Sequence, residues 1–268
     1  MLRTLIAVVV ALLTGPVLAQ SKTEVLWLGQ AAFRITTPGG KVIVIDPWLK
    51  TNPKTPAGFK NLAGLGKVDL VLVTHGHPDH VTDAPELVNM HKVRLYAPPG
   101  LKDTLVTLGL IPADLGPGMN IGGIVTPLGP EIKFNMVQAN HSSEFRWKDP
   151  ATGQERNYPG GMPVGWILEL ENGFKIYHMG DTGLFGDRKM IGEMYKPDLV
   201  LVPIGGNFTI NPQQAALAIR DMIKPRFAIP MHYGTYPILA GKPEDFVKGL
   251  EGSSTRAIVM NPGDKVDF

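Results

Sequence analysis

The sequence contains no cysteine, so the chain can form no disulfide bond and can offer no thiolate to a metal ion. Any metal that this protein binds must therefore be held by imidazole, carboxylate and water. For a chain that enters an oxidising compartment, the lack of cysteine also removes the risk of mispaired disulfides.

A marked excess of one charge is also missing. The 26 Lys and Arg residues nearly balance the 24 Asp and Glu residues, which gives a net charge of +2. Without residues 1–19, which contain Arg3 and no acid, the balance is 25 minus 24, or +1. This balance gives no electrostatic case for nucleic acid as a partner. We therefore expect a small-molecule substrate. Whether identical chains assemble stays open.

The apolar run near the start of the chain, residues 5–13, is too short for a comfortable membrane span. It follows Arg3, and the small residues that end at Ala19 suit cleavage by a signal peptidase. The pattern predicts a signal peptide over residues 1–19 and a single domain over residues 20–268, periplasmic or secreted and without stable membrane insertion. An uncleaved anchor is the alternative.

Groups able to bind metal are concentrated directly after an apolar segment. Residues 70–73 read Leu-Val-Leu-Val, which predicts a buried strand, and residues 75–80 read His-Gly-His-Pro-Asp-His. Three of the 7 histidines fall in this run. Gly76 and Pro78 end the strand and restrict the loop. Imidazole and carboxylate are suitable ligands for zinc, iron, manganese or nickel.

Three more polar side chains follow predicted strands. His141 comes after an alternating segment at residues 131–138, and His232 directly follows the apolar segment 227–231. Asp181 lies between two glycines after the predicted hairpin of residues 165–178. Ligands at the ends of several strands, with helices between them, predict two packed sheets covered by helices.

The run His75-Gly-His77-Pro-Asp79-His80 resembles the His-x-His-x-Asp-His signature of the metallo-β-lactamase superfamily. Within it, the chain looks like the uncharacterised metal-dependent hydrolases related to ascorbate-phosphate lactonases. The resemblance covers about residues 24–268. It implies an α/β fold, the αββα four-layer sandwich, in which two mixed β-sheets are covered by helices.

The resemblance also implies a site for two divalent metal ions, with Zn²⁺ as the first choice and Mn²⁺, Fe²⁺ or Ni²⁺ as alternatives. It assigns His75, His77 and His141 to the first ion, Asp79, His80 and His232 to the second, and Asp181 to both. Two such ions lower the pKa of a shared water and so supply a hydroxide nucleophile. Asp79 is then expected to orient the nucleophile and accept a proton.

Three further residues near the predicted ligands have open roles. His178, at the end of a predicted strand, is a candidate catalytic residue. It is a proton carrier, a donor that supports a ligand, or a plain hairpin residue. Asp46 is either a buried support for the ligand loop, as the resemblance implies, or a turn cap. Gln30 stands where superfamily members often carry His, and its role stays open.

Two segments are expected near the site. Residues 50–66 and 144–163 contain several Pro and Gly residues and are predicted to be loops, the first at the substrate entrance and the second inserted beside the site, where its role as a lid stays open. Trp48 and Phe59 are candidate substrate contacts. Among helices, the sequence predicts one after an Asp83 cap, one at residues 101–110, and one that begins at Asn211-Pro212.

The function that best fits these observations is a dinuclear metal-dependent hydrolase. An ester or lactone is the first substrate expected, because of the lactonase resemblance, and a phosphodiester is the second. The alternatives are a β-lactam hydrolase, a non-catalytic metal-binding or partner-binding protein on the same fold, and redox chemistry at a di-iron site. The complete ligand set and the absence of a flavin domain argue against the last two.

Overall fold

A computed structural model describes residues 22–268. The predicted signal peptide, residues 1–19, lies outside the described residues and stays a prediction. Within residues 22–268, no helix is long and apolar enough to cross a membrane.

One mixed sheet is built from six strands of this described range. In sheet order they are β15 (Lys265–Asp267), β1 (Glu24–Gly29), β2 (Ala32–Thr36), β3 (Val42–Ile45), β4 (Leu70–Leu72) and β5 (Leu95–Tyr96). The first four of these strands pair antiparallel, while β3, β4 and β5 are parallel to one another.

The second mixed sheet has seven strands in residues 22–268. In sheet order they are β14 (Arg256–Ala257), β13 (Phe227–Met231), β12 (Leu199–Pro203), β11 (Lys175–His178), β10 (Val164–Glu169), β7 (Lys133–Gln138) and β6 (Ile124–Val125). Strands β11 to β14 run parallel, so their carboxyl ends lie at one edge of the sheet.

The α-helices lie in the connections. They are α1 (Ala57–Lys60), α2 (Pro78–Val81), α3 (Ala84–His91), α4 (Pro99–Thr107), α5 (Arg188–Tyr195), α6 (Pro212–Leu217) and α7 (Pro243–Gly249). Short 3₁₀ segments cover Leu62–Leu65 and Ala113–Leu115, and a π-helical segment, Ala218–Ile223, continues α6.

Strand alternation sorts the buried side chains into separate apolar layers. In β12, Leu199 and Leu201 pack between the sheets, while Val200 packs with the helices of the second sheet. On the first sheet, Val25 faces the other sheet and Leu26 faces the side covered by α3 and α4. Side chains alternate across a strand, so each sheet has two apolar faces to cover. The result is the predicted αββα four-layer sandwich.

Two segments that were predicted to be loops have regular structure. Residues 50–66 contain α1 and the Leu62–Leu65 turn. Residues 144–163 form an antiparallel hairpin of β8 (Glu144–Lys148) and β9 (Glu155–Pro159). The prediction of an unstructured segment at residues 144–163 was wrong, because Phe145, Trp147 and Tyr158 supply apolar contacts with the core beside α4.

Some local predictions were correct, and others differ from the structure. Asn211 caps α6 with a full capping box, as predicted. Asp83 precedes α3 but makes no capping bond; its carboxylate instead accepts the N–H groups of Leu49 and Lys50 at 2.6 and 3.0 Å. The final strand, β15, was not predicted, because it is short and gains its stability only from pairing with β1.

Candidate metal centre

Loops that follow β4, β7, β11 and β13 meet in one place. They carry the seven predicted ligands, namely His75, His77, Asp79 and His80 after β4, His141 after β7, Asp181 after β11, and His232 after β13. The parallel direction of neighbouring strands brings their carboxyl ends to one edge, which is where ligand sites of such sheets form.

The donor atoms form two compact sets, and within each set all atoms lie within 4.8 Å of one another. The first set is His75, His77 and His141, and the second is Asp79, His80 and His232. A third set of the same size, His75, His80 and Asp181, overlaps both. The groupings that the resemblance implied are therefore the ones that the fold brings together.

Asp181 lies between the two sets. Its Oδ2 atom is 3.7 Å from Nε2 of His141, in the first set, and 3.0 Å from Nε2 of His232, in the second. Its Oδ1 atom is 3.4 Å from Nε2 of His80. The Asp181 carboxylate therefore has oxygen atoms near both sets, which is the geometry that a ligand shared by two cations requires.

Buried donor atoms without partners support a cation here. Nε2 of His75, Nε2 of His80 and Oδ1 of Asp181 have no hydrogen-bond partner within residues 22–268. Leaving a buried polar atom unpaired costs about 1–3 kcal/mol, so such atoms are rare in native proteins. These three residues belong to one donor set, and imidazole with carboxylate is a donor combination that divalent metals accept.

The charges of the site are set by burial and by neighbours. Burial lowers the pKa of the His75 imidazole well below its usual value, and the His80 ring adds to this effect. Burial would also lower the pKa of His232, but the carboxylates of Asp181 and Asp79 outweigh it and raise that pKa to about 9. Although burial favours their protonation, Asp79 and Asp181 have pKa values well below the ordinary range, because His80 and His232 face them. Both carboxylates are therefore ionised at neutral pH.

A buried polar group supports the ligand loop from behind. Oδ1 of Asp46 accepts the backbone N–H of Thr74 at 2.7 Å, and Oδ2 accepts the Thr74 hydroxyl at 2.7 Å and Nδ1 of His80 at 2.8 Å. Asp46 is fully buried. It follows β3 and joins the end of that strand to the end of β4, so it orients His75 and His80 together.

Some residues of the site have unusual backbone conformations. Gln30, Asp46 and His232 have positive φ angles of 51°, 48° and 57°. Such conformations cost side-chain-bearing residues about 1–3 kcal/mol and cluster at functional sites. Gly180, with φ of 61°, precedes Asp181, and a Cβ there would lie 2.7 Å from the carbonyl oxygen of Val164. Gly180 therefore allows a close backbone approach that a side chain would block.

Gln30 lies inside the site. Its Nε2 atom donates to Oδ2 of Asp79 at 2.8 Å and lies 2.8 Å from Nε2 of His232. Its backbone carbonyl accepts the N–H of His232 at 3.0 Å and the indole N–H of Trp27 at 3.0 Å. Gln30 therefore fixes both the backbone of His232 and the carboxylate of Asp79.

His178 is not brought into the cleft. It is fully buried between the sheets, where Nε2 donates to the carbonyl oxygen of Ala31 at 2.9 Å and Nδ1 accepts the N–H of Gly180 at 3.2 Å. Both ring nitrogens are thus used by the backbone, and burial lowers its pKa. Among the roles that the sequence left open, this geometry favours support of the turn before Asp181 over proton transfer to a substrate.

A buried arginine lies beneath the same turn. Arg188 donates to the hydroxyl of Thr182 and to the carbonyl oxygen of Gly183, and its guanidinium lies 4.5 Å from the ring centre of Phe185. The Thr182 hydroxyl also accepts the N–H of Asn140, and Gly183 donates to the Asn140 carbonyl at 2.7 Å. These bonds hold the Asp181 turn against the loop that carries His141.

A cleft of about 470 Å³ opens onto the metal-binding groups. Its polar part includes Gln30, His77, Asp79, His141, Ser142, Asp181 and His232, and its apolar part is Trp48, Pro78, Phe208, Tyr236 and Leu239. Among the predicted wall residues, Trp48 lines the cleft, whereas Phe59 packs against the core beside α3. Residues 50–66 and 144–163 do not line it.

Three cleft residues were missed in the sequence. Phe208 lies in the loop after β12, and Tyr236 and Leu239 lie in the loop after His232. The available signal was their position after strands whose neighbours carry ligands. That signal is weak, because isolated apolar residues in loops are common on protein surfaces.

Comparison with known proteins agrees with this geometry. A family model described as a beta-lactamase superfamily domain matches residues 41–233. A protein of Polaromonas sp. described as a UPF0173 metal-dependent hydrolase is 54% identical over 274 residues, which is 100% of each chain.

Two solved structures are also similar. Igni18, described as a metallo hydrolase from the archaeon Ignicoccus hospitalis, is 33% identical with a TM-score of 0.79, covering 92% of this chain and 98% of that chain. YhfI of Bacillus subtilis, described as a metallo-beta-lactamase fold protein, is 12% identical with a TM-score of 0.66, covering 92% of this chain and 100% of that chain. The second likeness shows the fold alone.

Proposed function

Because the chain belongs to the beta-lactamase superfamily domain family and is a metal-dependent hydrolase, we propose that it hydrolyses an uncharged ester or lactone with two divalent cations, Zn²⁺ being the first choice. The observation that carries the proposal is the pair of donor sets, His75, His77, His141 and Asp79, His80, His232, with Asp181 between them. A structural zinc ion is bound by four protein ligands that leave no open position. Seven ligands shared by two ions would leave open positions that face the cleft.

The cations and the chain have separate tasks. Two divalent ions held by these sets would lower the pKa of a water and polarise a carbonyl oxygen. Asp79 lines the cleft as a carboxylate, so it can accept the proton that the attacking water gives up and pass it to the leaving oxygen. Gln30 holds Oδ2 of Asp79 through its amide N–H, which keeps the proton acceptor oriented.

We further propose a periplasmic or secreted location for the mature chain, on the signal-like residues 1–19. A single domain over residues 20–268 follows from the same reading. The near-neutral charge supports a small molecule as the substrate.

The deciding experiment combines metal analysis with a substrate panel. Zinc-loaded protein is assayed with lactones, linear esters, phosphodiesters and the β-lactam nitrocefin, and its metal content is measured by mass spectrometry. We expect about two zinc ions per chain and turnover of lactones or esters. Turnover confined to phosphodiesters or to nitrocefin would replace the proposed substrate class, and protein that binds zinc without any turnover would support a non-catalytic role.

The Asp181→Ala variant tests the shared ligand. We expect no measurable turnover and a loss of about half or more of the bound zinc, because both donor sets lose a carboxylate. Asp187→Ala is the matched control, since Asp187 is exposed on the same segment and makes no capping bond at α5. Full activity in Asp181→Ala would remove the shared-ligand role.

A further inference from the structure

We infer that the part of the substrate beyond the scissile bond is an apolar carbon chain without phosphate. The inference rests on the proposed ester or lactone hydrolysis and names the substrate class of that same site. It rests on the walls of the cleft, which are apolar, whereas the groups at its floor are polar.

The walls of the cleft are apolar and largely aromatic. Trp48, Phe208, Tyr236 and Leu239 line it together with Pro78. The rings of Trp48 and Tyr236 stack with centres 6.1 Å apart and an angle of 27° between their planes. Pockets of this volume, mostly apolar with a few convergent polar groups, are typical of small-molecule sites.

The Trp48 side of this wall is fixed by hydrogen bonds. The indole N–H of Trp48 donates to the hydroxyl of Thr51 at 2.7 Å, so its one polar atom is already satisfied. The Asp83 carboxylate accepts the N–H groups of Leu49 and Lys50, which anchors the chain directly after Trp48 to α3. A wall that is held in place before binding loses little conformational freedom when a substrate covers it.

Two other aromatic residues of the wall are exposed. Phe208 is 58% exposed and Tyr236 is 46% exposed, whereas Leu239 is 2% exposed. Two large aromatic side chains at the mouth of a site that already holds a reactive centre form a surface that an apolar group can cover. Removing such surface from water is favourable in proportion to its area.

Fixed positive charge is absent from the cleft. None of the Lys and Arg residues between positions 22 and 268 lines it. Lys50 pairs with Glu86 at 2.6 Å, and Arg188 is buried under the Asp181 turn. Proteins bind phosphate groups with Arg, Lys or helix N-termini. A phosphate away from the scissile bond would therefore lie against the apolar wall, with no Lys or Arg side chain from residues 22–268 to pair with it.

The main experiment is a chain-length series on zinc-loaded protein. γ-Lactones with alkyl side chains from methyl to octyl are compared by kcat/KM with a γ-lactone that carries a phosphorylated hydroxymethyl group. We expect kcat/KM to rise about threefold to fourfold for each added methylene until the cleft is filled. The phosphorylated compound should be a worse substrate than the methyl lactone.

A binding measurement gives a readout that does not depend on turnover. 2-Alkylcyclopentanones resemble the lactones but contain no ester bond, and their affinity is measured by calorimetry with zinc-loaded and metal-free protein. We expect the affinity to rise with alkyl length in both forms, since the wall and not the metal makes the contact. No dependence on length in either form would overturn the inference.

Phe208→Ala tests the exposed part of the wall without disturbing the core. We expect kcat/KM for the octyl lactone to fall about tenfold and the methyl lactone to change much less, with unchanged zinc content. Met194→Ala is the matched control, because Met194 is 73% exposed on α5 and lies outside the cleft. It should leave the dependence on length unaltered.

The outcomes separate this inference from the proposed function. Lactone turnover that rises with alkyl length and loses that rise in Phe208→Ala supports both. Lactone turnover without any dependence on length, or with a preference for the phosphorylated compound, overturns the inference and leaves the proposed hydrolysis standing. If no lactone or ester is turned over while another class is, the proposed function itself is wrong.

Discussion

The buried carboxylate of Asp46 accepts a hydrogen bond from Nδ1 of His80 across 2.8 Å, and neither side chain is exposed to solvent. A carboxylate can only accept, so the proton lies on Nδ1 and Nε2 faces the donor set of His75 and Asp181. Asp46 thus fixes the orientation of the His80 ring as well as its position. The alternative of a plain turn cap for Asp46 does not account for the contact with His80.

We predict that Asp46→Asn weakens zinc binding. An asparagine tolerates the positive φ of 48° at this position, so the backbone is expected to stay in place. Asparagine has one acceptor oxygen where the carboxylate has two, so it cannot accept from both the Thr74 N–H and Nδ1 of His80. Loss of such a supporting partner typically lowers metal affinity about 10–100-fold. Zinc affinity is measured by competition with a chromogenic chelator. An affinity within about twofold of the parent would contradict this role.

We predict that Gln30→Asn lowers turnover more than metal content. The shorter side chain keeps a residue that tolerates positive φ but does not reach Asp79, which Gln30 contacts at 2.8 Å. An unoriented proton acceptor should lower kcat about tenfold. kcat for the best lactone and zinc per chain are measured on the same sample. An unchanged kcat would show that Asp79 does not need this contact.

We predict that Arg188→Met separates stability from metal binding. Within residues 22–268 no carboxylate forms an ion pair with Arg188, although the side chain is fully buried. Replacing a buried charge with an apolar side chain is often neutral or stabilising, so the free energy of unfolding should change by less than about 2 kcal/mol. Zinc affinity should nevertheless fall about tenfold, because the turn of Asp181 loses its clamp.

Urea unfolding and chelator competition measure the two quantities for Arg188→Met. Lys189→Met, on the neighbouring exposed position of α5, is the matched control and should change neither. Parallel losses of stability and affinity would instead assign Arg188 a general structural role.

We predict a pH-dependent contribution from Glu24 at the edge of the first sheet. Hydrogen bonds from Lys265 and Arg34, both at 2.8 Å, hold the pKa of Glu24 below its usual value despite partial burial. Because the folded-state pKa is the lower one, the stabilisation is present above the usual pKa and is lost as the pH falls through the folded-state value. Glu24→Gln should therefore cost about 0.5–1 kcal/mol of unfolding free energy at pH 7 and less at pH 3.

Urea titrations of the parent and of Glu24→Gln at both pH values test this. Glu193→Gln serves as the control, since Glu193 is exposed and lies 3.9 Å from Lys189. A difference between parent and Glu24→Gln that does not shrink in acid would show that the loss of stability does not come from the charge of Glu24.

The strongest sequence signals were local ones. The apolar segment before His75, the hairpin turn at Gly173 and the cap at Asn211 each depend on a few neighbouring residues, and each was found where it was predicted. Signals that depend on distant partners failed. Residues 144–163 look like a loop until Phe145 has a core to pack against, and β15 needs the edge of β1.

His178 illustrates the limit most clearly. In the sequence it follows apolar residues in the same way as His141 and His232 do. In the structure it is still part of β11, where it opposes Trp166 and faces the inside of the sandwich, while Asp181 lies beyond the strand end and reaches the cleft. A shift of a few positions along a strand end decides whether a side chain faces the core or the site.

The sequence by itself determined the kind of chemistry, because the number of imidazole and carboxylate groups and the absence of thiolates restrict which metals can be held. It also determined the layered fold, since apolar strands and amphipathic helices allow few arrangements. Only the tertiary structure decided which side chains surround the substrate. Trp48, Phe208 and Tyr236 come from separate loops, and the contacts between loops follow from the packing of the sheets rather than from any local pattern.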